Sequence, residues 1–389
     1  MRYNFDKETT REASGSVKWD KRESRGSKDI IPMWVADMDF QAPDEVITAL
    51  VKRAGHGIFG YTYLSDSYLQ AVAGWMKKRH NWGIEKEWII TTPGVVAAFS
   101  MAIEAFTGKG DKIIIQPPVY HPFKKVIEAG NRAVVENRLI LKNNRYIMDF
   151  DHLEQVLKEG VSMMVLCSPH NPVGRVWSFD ELAQLNELCV KYDTLILSDE
   201  IHSDLVMPGH RHTVMADAPS GVNKKIITCT AASKSFNLAG LSCSNIIIRD
   251  PELRLTFKRL VQRLSVSTPG IFAMAATETA YNCCEGWLDE LLKYIHENYL
   301  FLKNYIEQDI PVIRVFPLEG TYLSWLDFSG CHLSDSAIDE ILLKRAKVWL
   351  DNGPQFGPGG EGFQRINLAC TRKNLETALN RIKTAFSTM

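Results

Sequence analysis

The chain reads as an α/β protein: a mostly parallel mixed sheet of about seven strands in a large domain, with a smaller α+β domain beside it. Three observations predict this. Between about residues 88 and 250, short β-rich runs alternate with helical stretches, the pattern of a sheet covered on both faces. After about residue 285 the pattern changes to a long helix, "WLDELLKYIHENYLFLKNYIEQ", then a strand-like "GTYLSWLDF" and a Gly-rich loop. Finally, 389 residues exceed what one compact core holds. We therefore expect a large domain over 41–285 and a small one assembled from 1–40 and 286–389.

In chain order, the strand-like runs are "WIITT", "KIIIQ", "AVVENRLI", "SMMVLCS", "TLILSDE", "KKIITCT" and "SNIIIRD". Each is short and nearly continuous in apolar residues, as strands buried on both faces must be. Amphipathic segments such as "FDELAQLNELCVKY" separate several of them. Ligands of such sheets bind outside the carboxyl ends of the strands, so the residues after each run decide function.

The first run enters "PGVVAAFSMAIEAF", a Pro-Gly turn opening a helix. The free N–H groups of Gly94, Val95 and Val96, with the helix dipole, form an anion site; the plainer alternative is an ordinary strand-to-helix turn. "KIIIQ" ends in "PPVYHPF", presenting Tyr120, either core filler or a stacking partner for a flat heterocycle. "SMMVLCS" ends in "PHNPVG", which offers the Asn171 amide on a turn held by prolines. "TLILS" ends at Asp199, and a carboxylate at a buried strand end needs a cationic or protonated partner. "KKIITCT" leads to Lys234 among Ser233, Ser235, Asn237 and Gly240; it is either a solvated loop lysine or a buried amine poised for Schiff-base chemistry. An anion cradle, a stacking aromatic, an amide, a carboxylate and a lysine at neighbouring strand ends match the needs of pyridoxal 5′-phosphate (PLP).

Composition narrows the partners. The formal net charge is −1 with no dominant basic block, which argues against nucleic acid or an anionic membrane surface. The N-terminus "MRYNFDKETTREASGS" lacks a secretory apolar region, and no run of 18 apolar residues exists, so a cytoplasmic protein is expected. Eight cysteines form no CxxC pair, and His210 and His212 in "GHRHT" lack zinc-like companions. We expect reduced thiols, loop histidines and no metal.

The motifs "WVADMDF" (34–40), "GYT" (60–62), "PVYHPF" (118–123), "SPHNPVGRVW" (168–177), "SDEIHSDL" (198–205), "SKSFNLAG" (233–240), "EGTYLSW" (319–325) and "RINLA" (365–369) stand one after another in a family's order. Over nearly its whole length the chain resembles fold type I PLP enzymes, the aspartate aminotransferase superfamily of class I/II. More narrowly it resembles the MalY/PatB-type cystathionine β-lyases, C–S lyases to which cystalysin is related. That resemblance implies that Lys234 carries the cofactor, Asp199 pairs with its ring nitrogen, Asn171 bonds its phenolic oxygen and Tyr120 stacks on it. It implies phosphate binding by Val95, Val96 and Ser233, with Tyr61 contributed by the partner subunit of a homodimer. Arg365 would grip the substrate α-carboxylate, and backbone near Ala36 would line the same pocket. His202 stands where many transaminases of the superfamily have tyrosine, as in the lyase subgroup. His121 departs from cystalysin's second tyrosine, so no role is carried over to it.

Two glycine-rich stretches are decoys. "GHGIFG" satisfies G-x-G-x-x-G but comes after the helical "PDEVITALVKRA", whereas a dinucleotide loop comes after a strand; it is expected to stop a helix and lead to Tyr61. "GPQFGPGGEG" lacks a following GK[ST] and is expected to position the Arg365 segment. Arg175 and Arg372 could also bind a carboxylate; the plainer reading is that they are surface arginines. The expected activity is α,β-elimination from L-cystathionine or a related cysteine thioether, giving pyruvate, ammonia and a thiol. The alternatives are an L-amino-acid aminotransferase and a non-catalytic PLP-binding regulator.

Overall fold

A computed structural model describes residues 3–218, 223 and 225–387. Its main sheet has seven strands: β1 (Ile89–Thr92), β2 (Lys112–Ile115), β3 (Ala133–Glu136), β4 (Met163–Cys167), β5 (Leu195–Asp199), β6 (Ile226–Thr230) and β7 (Ser244–Ile247). Their order is β1-β7-β6-β5-β4-β2-β3. Only β7 opposes its neighbours; β2 through β6 pair in parallel. Every residue of β4, β5 and β6 is buried. In β4, Met163, Val165 and Cys167 enter the core on one face while Met164 and Leu166 enter the core on the other. With both faces covered, side-chain alternation leaves no polar positions, which is why these runs read as continuous apolar segments. The β6 run begins at Lys224, which lies outside the described residues.

One run is shorter than expected. "AVVENRLI" is strand only to Glu136, because Asn137 is buried and turned inward, accepting from Gln116 Nε2 at 2.9 Å and donating to the Asp149 carbonyl at 3.0 Å. Ile140–Lys142 instead pairs antiparallel with Arg145–Ile147. Asn143 and Asn144 join them with φ of 51° and 56°, values that asparagine tolerates better than most residues.

A second sheet holds β8 (Arg314–Val315), β9 (Leu323–Asp327), β10 (Asp351–Asn352) and β11 (Phe363–Asn367), antiparallel in the order β8-β9-β11-β10. Its register sets Arg365 between Trp325 and Asp351. The helix Glu285–Asp309 buries a stripe running from Trp287 to Ile306. From the N-terminal segment, Ile31–Pro32 pairs in parallel with Val348–Trp349. Among the described residues no helix is long and apolar enough to cross a membrane.

Candidate active site

Five strands, β1, β2, β4, β5 and β6, run the same way, and their carboxyl ends open on one cavity. Its empty volume is about 840 Å³, mouth included, and its lining includes Tyr120, Asn171, Asp199, His202, Ser233 and Lys234. Val95, Val96 and Ala36 also line it. Nine of the eleven residues singled out in the sequence therefore share one hollow; Arg365 touches it through Asn171, and Tyr61 lies elsewhere.

Lys234 sits on a single helical turn, Ala232–Ser235, directly after β6. The next residue fixes that turn: Ser235 Oγ donates to Asp204 Oδ2 at 2.6 Å, and Asp204 also accepts from Trp75 Nε1 at 3.0 Å and His80 Nε2 at 2.8 Å. The Lys234 amine donates to the Ala36 carbonyl at 2.5 Å. Burial pulls its pKa down to about 8, with Arg365 acting in the same direction against Asp37 and Asp199. An ammonium short of solvent gives up its proton more readily.

Asp199 is buried at the end of β5, and its carboxylate accepts from the Ile201 N–H at 3.2 Å. One backbone donor does not offset the desolvation, and its pKa is pushed up to about 7. A protonated ring nitrogen facing it would supply the missing partner. His202 is buried edge-on to Tyr322 at 5.9 Å, its Nδ1 unpartnered, and burial drives its pKa down, with Lys234 and Arg365 adding to the effect. It is therefore a neutral imidazole at the site. Burial moves the Tyr120 phenol up to about 12, leaving it neutral as well.

The helix Val95–Phe106 opens at the cavity with Gly94 as its cap, at φ 113° and without a side-chain cap. A side chain does not readily adopt that φ, and the uncapped N–H groups at Val95 and Val96 remain to bind an anion. Ser233 adds a hydroxyl to the same lining.

Arg365, on β11, donates from Nη1 to Asn171 Oδ1 at 2.8 Å and from Nη2 to the Trp34 carbonyl at 2.8 Å. Nη2 also forms an ion pair with Asp351, directly opposite on β10. Its guanidinium lies 4.8 Å from the centre of the Phe356 ring, and its Nε is buried without a partner.

One expectation changes, and others gain detail. Arg175 is not a surface residue: it is 2% exposed and donates to Glu319 at 2.9 Å and Glu181 at 2.8 Å. His212 lies in a loop but is buried, bonded through Nε2 to Glu200 Oε2 at 2.8 Å. Tyr61 is fully exposed on this chain, within an apolar patch of Ile58, Phe59 and Tyr63. His121 is half-buried beside Phe356 with Nδ1 unpartnered, outside the lining of the cavity. Sequence reasoning missed Asp351 and Asp204. The first becomes visible only once the β10–β11 register is known; the second stood inside "SDEIHSDL" without a partner to identify it.

Residues 28–382 match the family described as aminotransferase class I and II. The chain belongs to that family. Its architecture is accordingly the type I fold of PLP-dependent enzymes. Cystathionine beta-lyase PatB of Bacillus subtilis (strain 168) is 45% identical over 386 residues, covering 99% of this chain and 100% of that protein. Among solved structures, a PLP-bound protein of Clostridium difficile 630 described as an aminotransferase superposes with a TM-score of 0.97 at 43% identity, covering 99% of this chain and 100% of that one. Cystalysin from Treponema denticola, whose crystal structure contains PLP, gives a TM-score of 0.97 at 39% identity with full coverage of both chains. Class membership does not decide the step after removal of the Cα proton, since transfer and elimination share the same lysine and the same ring-nitrogen partner.

Proposed function

We propose that this member of the family is a PLP-dependent carbon–sulfur β-lyase. It performs α,β-elimination on L-cystathionine or a related cysteine thioether, releasing pyruvate, ammonia and a thiol. The observation that carries the reaction class is the 45% identity with a cystathionine beta-lyase from end to end. PLP fits the residues present: the under-bonded Asp199, the uncapped helix at Gly94 and the desolvated Lys234 each lack what that molecule offers.

When bound, PLP supplies an electron sink for the pair left at the substrate Cα. Lys234 would attach the cofactor and is the amine placed to take the Cα proton; in the free protein its pKa of about 8 already lies close to neutral pH, where a general base works best. Asp199 would hold a proton on the ring nitrogen, Tyr120 would stack on the ring and Asn171 would donate its amide to the phenolic oxygen. Val95, Val96 and Ser233 would hold the phosphate, and His202 would stand beside the ring as a neutral group. Arg365 binds the α-carboxylate and so turns the Cα–H toward Lys234. The wall at Ala36 keeps bulk water from the amine. The departing sulfur leaves from Cβ as the electron pair moves in behind it.

The finer reading is a cytoplasmic homodimer in which residues 41–285 form the large domain and 1–40 with 286–389 the small one. The exposed patch around Tyr61 supports the dimer, with Tyr61 completing the partner's phosphate site. Mixing Tyr61→Ala chains with Lys234→Ala chains then restores turnover, because hybrid dimers contain one intact site; absence of rescue sinks the shared-site reading. The reaction class is tested by supplying L-cystathionine without a keto acid. Pyruvate release identifies elimination, whereas turnover that requires an acceptor identifies a transaminase. Lys234→Ala should lose both the visible absorbance of bound cofactor and pyruvate release.

A further inference from the structure

We propose that Asp351 is a built-in stand-in for the substrate α-carboxylate: it occupies Arg365 in the free protein and gives way when an amino acid binds. The inference rests on the reading of Arg365 as the carboxylate clamp. A guanidinium carries five N–H bonds in a fixed fork, and a carboxylate grips it bidentately along one of two edges. One edge joins Nη1 to Nη2 and the other joins Nε to Nη2, so both require a proton of Nη2. In this protein the two Nη2 protons are engaged, one by the Trp34 carbonyl at 2.8 Å and one by Asp351. Nη1 gives one proton to Asn171 at 2.8 Å, and Nε, buried and unpartnered, retains its own. A bidentate carboxylate cannot dock until one Nη2 partner leaves.

The two partners differ in how they could leave. Trp34 offers a backbone carbonyl on a segment tied down through Asn367 Nδ2, which donates to the Val35 carbonyl at 2.7 Å and the Asp37 carbonyl at 2.8 Å. Asp351 offers a side chain that can rotate, and it is itself an anion repelled by an arriving carboxylate. It is 7% exposed and directly opposite Arg365 across the β10–β11 ladder, so the pair forms with the sheet, before any ligand arrives. Binding is therefore an exchange of one carboxylate for another. The unpartnered Nε leaves the incoming anion a further N–H to bond. The protein thus trades affinity for a clamp that is never an uncompensated buried cation.

A purely orienting role for Asp351 predicts the opposite sign, which makes the inference testable. Propionate, a carboxylate without an amine, is titrated calorimetrically into the PLP-loaded wild type, Asp351→Asn, Asp351→Ser and Arg365→Leu, with thermal melts as the folding control. Both Asp351 variants should bind propionate about tenfold more tightly, ~1.4 kcal/mol, and the KM for the amino-acid substrate should fall in parallel. Unchanged or weaker binding in a folded Asp351 variant overturns the stand-in and leaves Asp351 an orienting residue. Unchanged binding in Arg365→Leu instead overturns the clamp itself, and the stand-in with it. Neither outcome depends on whether the enzyme eliminates or transaminates, because propionate undergoes no reaction.

Discussion

Lys234 of the cofactor-free protein should behave as an amine of pKa about 8, and the pH dependence of cofactor capture measures this directly. Only the neutral amine attacks an aldehyde, and lowering the pKa raises its share at any pH below the ordinary lysine value. At pH 7 a group of pKa about 8 is neutral in roughly one molecule in ten; at its ordinary 10.5 it would be neutral in roughly one in three thousand. The fold thus raises the reactive fraction about 300-fold at neutral pH. The assay mixes cofactor-free protein with PLP and tracks growth of the visible band across pH 6 to 10. Capture should accelerate about tenfold per unit below pH 7.5 and level off above about 8.5. Removing Asp37, which opposes the shift, by Asp37→Asn should move the bend to lower pH. A rate that climbs without a bend to pH 10 would falsify the claim that burial prepares this amine.

Three further outcomes are expected from the same structure. Asp199 has its folded pKa raised to about 7, so the folded state holds a proton that the unfolded state has lost between about pH 4 and 7, and stability falls as pH rises through that window. The cofactor-free Asp199→Asn variant should therefore melt higher than cofactor-free wild type at pH 8, with the gain fading near pH 4, while its PLP affinity drops; an equal melting temperature at pH 8 contradicts the assignment. Arg365→Leu should lose about 100-fold in kcat/KM and destabilise the fold by about 3 kcal/mol by stranding Asp351; Arg365→Leu with Asp351→Leu should recover most of the stability and none of the activity. Gly353→Ala should be severely destabilising, about 3 kcal/mol or more, because a Cβ there would lie 1.9 Å from the Gly360 carbonyl oxygen and 2.6 Å from that of Phe363; a melt within a degree of wild type would refute this.

The central sheet was legible because its strands are buried on both faces. Leu195 through Leu197 is apolar, and the polar Ser198 and Asp199 mark where the strand stops and the site begins. The same logic located Asn171, Tyr120 and Lys234. What escaped was whatever depends on pairing between distant segments. β8 and β10 are two residues long, too short to show any period, and the Asp351–Arg365 contact exists only through the β10–β11 register. Arg175 looked like any loop arginine because its partner Glu319 lies 144 residues away.

Residues 34–37 meet the cavity mainly through backbone carbonyls: Trp34 to Arg365 and Ala36 to Lys234, with Val35 and Asp37 held by Asn367. A carbonyl belongs to every amino acid, so a saturation screen of position 36 for side-chain chemistry should find broad tolerance there. Sensitivity should appear at a distance, at Asn367, whose amide holds the Val35 and Asp37 carbonyls, and at Asn237, whose amide holds Met38 and Phe40 just after this ribbon. Anyone mapping tolerance along the polypeptide could pass over positions 34 and 36 as filler, although two of the site's cations bond directly to them.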